Sequence, residues 1–233
     1  MKKPAGKKPA REIQAVVFDL DGTLLRTEHL QWRGWNAALA AIGVKKRITR
    51  AQYAKYCGVS GETNAKLIVG DYGLEARIAP RALLLAKEKF LHKTFFGQPV
   101  AWMPYARSAL RYFRRLGLPI ALATSGKRAE TMKKLRPLSA HLHFDTLVCR
   151  DDVSRGKPHP DIYAQACKRL GVSSKNTIAF EDTSSGVLSA SRAGLRVISI
   201  PTIYSKSQDF SKAWAVCSDF KSAMRKTGNL MRR

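Results

Sequence analysis

Short apolar runs alternate with helical segments along most of this chain, and this alternation constrains the fold more than any other feature. Strands that alternate with helices form parallel sheets through right-handed crossovers. The helices of such crossovers cover both faces of the sheet. We therefore predict an α/β fold with a parallel sheet covered on both faces, and its predicted strands are Ala15–Asp19, Pro119–Ala123, Thr146–Cys149, Thr177–Phe180, Arg196–Ile200 and Ala215–Cys217.

The block between the first and second predicted strands has a helical pattern instead. Trp32 and Trp35 begin an apolar series at helical spacing, and Gly43 suits the end of that helix. Both tryptophans could pack inside this block or form a wall of a substrate pocket. A second long helical stretch follows around Leu83 and Phe90. We interpret four intervening glycines as turns: Gly58, Gly61, Gly70 and Gly73.

The chain is strongly basic, with 42 lysines and arginines against 17 acidic residues and a formal net charge of +25. Such a charge attracts anionic substrates and favours nonspecific contact with nucleic acid. Residues 1–12 are rich in Lys, Pro and Gly, which predicts a disordered basic tail that is either solvated or an arm for nucleic acid. Without a spanning apolar run or a secretory signal, and with scattered cysteines, we expect a cytoplasmic monomer with no membrane contact.

Polar residues follow the predicted strands at the points where those strands end. In open parallel sheets, ligands bind beyond the carboxyl ends of the strands. Each motif alone has another interpretation. Asp19 and Asp21 could lie in a turn, Glu181 and Asp182 could cap a helix, and Lys157 could be solvated. Together and in this order they predict one site, formed by Asp19 and Asp21, by Thr124 and Ser125, by Lys157 in a polar loop, and by Glu181 and Asp182.

This set of side chains suits phosphoryl transfer. A carboxylate can attack phosphorus and hold the phosphoryl group as an acyl phosphate. A divalent cation is then needed to screen the carboxylates from the phosphate, and Mg²⁺ prefers oxygen ligands. A lysine and a hydroxyl stabilise the phosphoryl oxygens, while a second acid protonates the leaving oxygen and later activates water.

These motifs resemble those of the haloacid-dehalogenase superfamily, in the branch of helical-capped phosphatases and β-phosphoglucomutase. The resemblance covers residues 13–201. It rests on F-D-L-D-G-T-L at Phe18–Leu24, on the strand that ends in Thr124, on Lys157 in G-K-P-H-P, and on E-D-T-S-S-G-V at Glu181–Val187. It implies a Rossmann-like core from 13–26 and 99–233, with an all-helical cap inserted at 27–98.

The resemblance also implies a role for each motif residue. Asp19 is expected to be the nucleophile and Asp21 the general acid and base, with Thr124 and Lys157 holding the phosphoryl group. Gly22 allows a close backbone approach to the metal. Further phosphate or substrate contacts are expected from Ser125, Gly126 and Lys127, although Lys127 could instead face solvent. The expected Mg²⁺ ligands are Asp19, Asp21, Glu181 and Asp182.

Two alternatives to a phosphatase of small phosphomonoesters stay open. Mutase-like members carry a cap arginine where this chain has Gly61, a histidine where it has Gln31, and an acidic residue where it has Arg26. These differences favour a phosphatase acting on a sugar phosphate, phosphoglycolate or a nucleotide. A nucleic-acid-binding protein on the same fold is the second alternative, but such a degenerate member should have lost motif acids, and Asp19 and Asp182 are present.

Overall fold

Six strands form one parallel sheet in the computed structural model, which describes residues 13–95 and 100–231. The spatial order of the strands is β3-β2-β1-β4-β5-β6, and each neighbouring pair is parallel. The predicted α/β class is thereby confirmed. The predicted tail at 1–12 lies outside the described residues. The strands are β1 (Ala15–Phe18), β2 (Ile120–Ala123), β3 (Thr146–Val148), β4 (Thr177–Glu181), β5 (Arg196–Ser199) and β6 (Ala215–Val216).

The register of the three central strands positions the polar residues that follow them. In β1, Phe18 lies opposite Leu122 of β2 on one side and opposite Phe180 of β4 on the other. The carboxyl ends of these strands therefore meet at the same edge of the sheet. Asp19 and Glu181 are brought together there because each comes directly after one of the paired phenylalanines.

Successive residues of a strand point to opposite faces of the sheet. Helices pack against both faces and bury these side chains. On one face, Phe18 and Phe180 stack at 4.7 Å between ring centroids and pack with Phe113 and Phe220. On the other face, Val17 packs against apolar residues of two further helices. The helices concerned are α5 (Ala106–Arg115), α6 (Arg128–Leu135), α7 (Asp161–Leu170), α8 (Ser184–Arg192) and α9 (Phe220–Met231).

The block between β1 and α5 is helical, and none of its described residues, 28–95, lies in a strand. It has an apolar core of its own, in which Trp35 is 1% exposed. Trp32 donates a hydrogen bond from Nε1 to the carbonyl of Ile48 at 2.8 Å. Both tryptophans therefore serve packing within this block. Its helices are α1 (Glu28–Ala41), α2 (Arg50–Tyr53), α3 (Gly61–Asp71) and α4 (Pro80–Phe95).

The interpretation of Gly61 and Gly70 as turns is wrong, because both lie in α3. Ser60 caps this helix by accepting a hydrogen bond from Thr63 N at 3.1 Å. One apolar face of α3 is buried against the rest of the block, and this packing outweighs the low helix propensity of glycine. The other two glycines do occupy turns, with φ of +86° at Gly58 and +60° at Gly73.

Three smaller expectations concern the whole chain. All four cysteines are unpaired, and Cys57, Cys149 and Cys167 are buried. No helix in the described part of the chain combines the length and apolarity needed to cross a bilayer. The domain boundaries at 26 and 98 stay predictions.

Candidate active site

A buried lysine joins two carboxylates at the edge of the sheet. Lys157 donates from Nζ to Asp19 Oδ1 at 2.5 Å, to Glu181 Oε1 at 2.6 Å and to the carbonyl of Ala123 at 3.1 Å. Its side chain is 2% exposed. The other oxygen of Asp19, Oδ2, accepts no hydrogen bond within the described residues. One carboxylate oxygen is thus held in place while its neighbour is left available.

Glu181 has both carboxylate oxygens satisfied by protein. Besides Lys157, its Oε1 accepts from the Tyr163 hydroxyl at 2.7 Å, and its Oε2 accepts from Asp182 N at 3.0 Å. A Cβ at Gly186 would lie only 1.9 Å from Oε1, so glycine is required there. Glu181 therefore acts in this structure as an anchor for Lys157.

Three buried acids could hold a metal ion. One oxygen each from Asp19, Glu181 and Asp182 lies within 4.8 Å of the others. Thr23 donates to Asp182 Oδ1 at 3.0 Å, whereas Asp182 Oδ2 is buried without a partner. A Cβ at Gly22, where φ is +86°, would lie 2.2 Å from that orphaned oxygen. Hard oxygen donors of this kind fit Mg²⁺, and an unpaired buried carboxylate oxygen calls for a cation.

Burial makes this acid cluster costly without a cation. It raises the pKa of Asp19 to about 8, and the attraction of Lys157 offsets only part of that effect. Burial and the nearby charge of Glu181 also raise the pKa of Asp182 well above its usual value. A bound divalent cation would reverse both shifts, because it stabilises the ionised carboxylates.

Hydroxyl and backbone groups after β2 form the opposite wall. Gly126 N donates to Thr124 Oγ1 at 3.1 Å, so the hydrogen of that hydroxyl stays available to a ligand. Ser125 Oγ is buried without a partner. Lys127 is half-exposed and lies 3.8 Å from Glu62 of α3. The first two groups are placed to donate to oxygens in the cavity.

Asp21 is paired with a residue that the sequence interpretation missed. Lys134 of α6 lies 2.5 and 2.7 Å from the two oxygens of Asp21, and its side chain is 3% exposed. Burial by itself would raise the pKa of Asp21, but the ammonium of Lys134 outweighs burial and holds that pKa below 3.8. The pair is 113 residues apart in sequence, so no local pattern could reveal it.

The helical block lies over these groups, and the two parts line a partly open cavity of about 110 Å³. Gly58 approaches the core so closely that a Cβ there would lie 2.3 Å from Thr183 Oγ1. Glu28 of α1 and Lys87 of α4 also line the cavity, and both escaped the sequence interpretation because lysines and glutamates on helices usually face solvent. The predicted residues that line it are Asp19, Asp21, Thr124, Ser125, Gly126, Lys127, Lys157 and Asp182.

The sequence and the fold of this chain are similar to those of known proteins. A profile of haloacid dehalogenase-like hydrolases matches residues 13–194. The phosphorylated carbohydrates phosphatase of Thermotoga maritima is 30% identical, over 80% of this chain and 84% of that protein. Protein CbbY of Cereibacter sphaeroides is 31% identical, over 89% and 93% of the two chains. A crystal structure of a CbbY mutant from Rhodobacter sphaeroides, in complex with xylulose-(1,5)bisphosphate, is 27% identical, with a TM-score of 0.78 over 89% of this chain and 95% of that chain.

Proposed function

The chain belongs to the haloacid dehalogenase-like hydrolases, and we propose that it is a Mg²⁺-dependent phosphatase of small phosphomonoesters with Asp19 as its nucleophile. The observation that carries the proposal is the arrangement around Asp19. Lys157 holds one oxygen of Asp19 at 2.5 Å, and the other oxygen accepts no hydrogen bond from the described residues. A carboxylate held in this way at the floor of a cavity can attack in line.

Asp19 and Asp182 are the residues that would hold Mg²⁺, and Asp182 would do so through its unpaired Oδ2. Gly22 leaves room for that oxygen. Glu181 would act from the outer sphere, because its oxygens are already satisfied. The backbone carbonyl of Asp21 is the remaining proposed ligand. When bound, the ion would neutralise the phosphate and keep Asp19 ionised near neutral pH.

The reaction follows in two half-steps. In the first, Oδ2 of Asp19 forms a bond to phosphorus, the bond from phosphorus to the leaving oxygen breaks, and Asp21 gives that oxygen a proton. In the second, Asp21 takes a proton from water as the water attacks phosphorus, and the bond to Asp19 breaks. Thr124 and Ser125 donate to the phosphoryl oxygens throughout. The ammonium of Lys157, whose three hydrogens go to Asp19, Glu181 and the Ala123 carbonyl, stabilises the negative charge of those oxygens.

The helical block acts in this proposal as the cap that excludes water from the site. A 110 Å³ cavity suits a small metabolite, and the names of the relatives from Thermotoga and Rhodobacter point to phosphorylated carbohydrates. Gly61 lies at the cavity without a side chain that could grip a distal phosphate, which supports a phosphatase over a mutase. The cytoplasmic location, the monomeric state and nonspecific nucleic-acid contact stay predictions.

Phosphate release from a panel of sugar phosphates, phosphoglycolate and nucleotides tests the proposal. We expect Mg²⁺-dependent release that chelator abolishes and that Asp19→Asn lowers by at least about 10⁴-fold. The matched control is Asp209→Asn, an exposed aspartate outside the cavity, which should behave like the wild type. Appreciable turnover by Asp19→Asn, or full activity in chelator, would contradict the mechanism.

A further inference from the structure

Two helices of the core, α5 and α9, contain basic residues but no acidic ones. α5 carries four arginines, α9 carries three lysines or arginines, and neither helix contains Asp or Glu. By contrast, α3, α6 and α7 each combine basic with acidic residues. The cations of α5 and α9 are all exposed, and we call the surface that they form the α5–α9 face: Arg107, Arg111, Arg114, Arg115, Lys221, Arg225 and Lys226.

The α5–α9 face is continuous, because the two helices pack side by side on the same face of the sheet. Phe113 of α5 and Phe220 of α9 lie in one apolar core with Phe18 of β1. A Cβ at Gly228 of α9 would lie 3.7 Å from the Tyr112 hydroxyl of α5. Among the described residues, none that lines the catalytic cavity belongs to α5 or α9, so this face is separate from the catalytic site.

Most cations of this face have no acidic partner. Arg114 is the exception, since its Nη1 lies 3.0 Å from a carboxylate oxygen of Asp145. Within residues 13–95 and 100–231, the other six cations form no ion pair. The acid nearest to α9 in sequence, Asp219, caps that helix by accepting a hydrogen bond from Ser222 N at 2.7 Å. The face therefore carries positive charge that no acid of the described chain pairs with.

Several of these cations occupy positions that do not stabilise the helices. Arg107 and Lys221 lie in the first turns of α5 and α9, where the helix dipole disfavours a positive charge. Arg107 and Arg111 are four residues apart, as are Lys221 and Arg225, and like charges at this spacing destabilise a helix. An anionic partner that neutralises the face would remove this repulsion.

An exposed aromatic side chain borders the face. Trp214, which precedes β6, is 42% exposed, and Nζ of Lys226 lies 5.5 Å from the centroid of its ring. Arg196 of β5 also approaches this ring, with Cζ 5.4 Å from the centroid. Sites for single-stranded nucleic acid combine a positively charged surface that follows the backbone with aromatic rings on which bases stack. Trp214 and the cations of the face supply both elements.

We propose that the α5–α9 face and Trp214 bind single-stranded nucleic acid, with phosphates on the cations of the two helices and a base on the indole ring. This binding function is independent of the phosphatase proposal. The residue types favour nucleic acid over an anionic membrane. Every exposed residue of α5 is an arginine, which forms paired hydrogen bonds with phosphate oxygens. A helix that lies in a membrane surface needs an apolar face to insert, whereas the apolar face of α5 is buried against the sheet.

Fluorescence anisotropy of a labelled oligothymidylate of about 12 nucleotides, titrated with the full chain, tests the proposal. The double variant Arg107→Gln, Arg111→Gln should raise Kd at low salt by about 10-fold or more. Its slope of log Kd against log salt should fall by about 1.4, because each phosphate contact to a single strand contributes about 0.7. The control is Lys168→Gln, Lys175→Gln, which removes two exposed charges in and after α7, on the opposite face of the sheet. It should keep Kd within about 2-fold of the wild type.

Trp214→Ala tests the stacking contact separately. It should raise Kd about 5-fold or more, as expected for the loss of one stacked base. It should also remove most of the quenching of tryptophan fluorescence that the oligonucleotide causes in the wild type. Leu85→Ala, which shortens an exposed apolar side chain of the helical block, should leave both quantities unchanged. The double arginine variant should melt at or above the wild-type temperature, because it removes like-charge repulsion.

Four outcomes would overturn the proposal. The first is no binding of the oligonucleotide by the wild type at low salt. The second is an unchanged Kd in the double arginine variant, which would assign the binding to another part of the chain. The third is a duplex of the same length that binds as tightly as the single strand. The fourth is sedimentation of the wild type with phosphatidylserine vesicles, lost in the arginine variant, without binding of the oligonucleotide, since this would assign the face to a membrane.

Discussion

The ammonium of Lys134 lies between the two carboxylate oxygens of Asp21, at 2.5 and 2.7 Å. In this arrangement Asp21 is ionised, which suits a general base but not a general acid. In the proposed mechanism the first half-reaction needs a protonated Asp21, so that proposal requires the contact with Lys134 to loosen when substrate binds. Lys134 lowers the pKa of Asp21 and is thus the residue through which the proposed acid and base role can be tested.

Replacement of this lysine should change the pH profile. In Lys134→Met the pKa of Asp21 should rise, because burial is then no longer outweighed by a cation. As pH is lowered, the activity that needs ionised Asp21 should consequently disappear at a higher pH in this variant than in the wild type. The measurement is kcat against pH, and Lys133→Met, an exposed neighbour on the same helix, is the control. An unshifted acid limb in Lys134→Met would refute this role.

Gly22→Ala should weaken the metal site. The new Cβ would lie 2.2 Å from Asp182 Oδ2, and φ of +86° is unfavourable for alanine. We expect the Mg²⁺ concentration for half-maximal activity, and the calorimetric Kd for Mg²⁺, to rise about 10-fold or more.

The control for backbone strain is Gly73→Ala, since Gly73 has φ of +60° but nothing within 4 Å of the new Cβ. It should lower the free energy of unfolding by about 1 kcal/mol and leave Mg²⁺ affinity unchanged. If both variants altered Mg²⁺ affinity equally, the effect would come from strain and not from Asp182.

Glu28→Gln should change the pH dependence of stability. Burial raises the pKa of Glu28 to about 7 from 4.5, and the charge of Asp21 adds to this shift. Between pH 4.5 and 7 the native state thus keeps a proton that the unfolded state has lost, so the stability of the wild type falls as pH rises through this window. Glu28→Gln has no ionisable carboxyl at this position, so its stability does not fall for this reason as pH rises.

Urea unfolding of the metal-free proteins at pH 5 and pH 8 measures the effect. Relative to the wild type, Glu28→Gln should gain on the order of 2 kcal/mol in unfolding free energy between the two pH values. Glu75→Gln, at an exposed position of the same block, should show no such gain. A gain of equal size in both variants would contradict the assignment to Glu28.

Gln208→Ala should loosen the helical block from the core. Gln208 Nε2 donates to the carbonyl of Ala54 at 2.6 Å, and Oε1 accepts from Ser184 N at 2.8 Å. We expect about 1 kcal/mol less stability and faster hydrogen exchange around α2, because both bonds disappear. Gln165→Ala is the control, since Gln165 has no side-chain hydrogen bond to the described residues. Unchanged exchange in Gln208→Ala would contradict this role.

Much of the sheet and its edge was predictable from the chain alone. Apolar runs of strand length marked the central strands, and the polar residues Asp19, Thr124 and Asp182, which follow those runs within two positions, line one cavity. Helix α3, which contains Gly61 and Gly70, was not predictable. Its glycines favour turns, whereas burial of its apolar face stabilises the helix. The final helix α9 was not predicted, although its buried residues Phe220, Ala223 and Thr227 follow helical spacing; it packs against α5.

By itself, the sequence determined where the strands end and which reactive side chains follow them. Parallel pairing then brings those positions to one edge whatever the detailed packing is. Only the tertiary structure decided the partners of these groups: Lys134 for Asp21, Tyr163 for Glu181, and Trp35 for Lys87. The physical reason is that burial and Coulomb energy depend on distances between elements that are remote in sequence. Local periodicity carries no information about those distances.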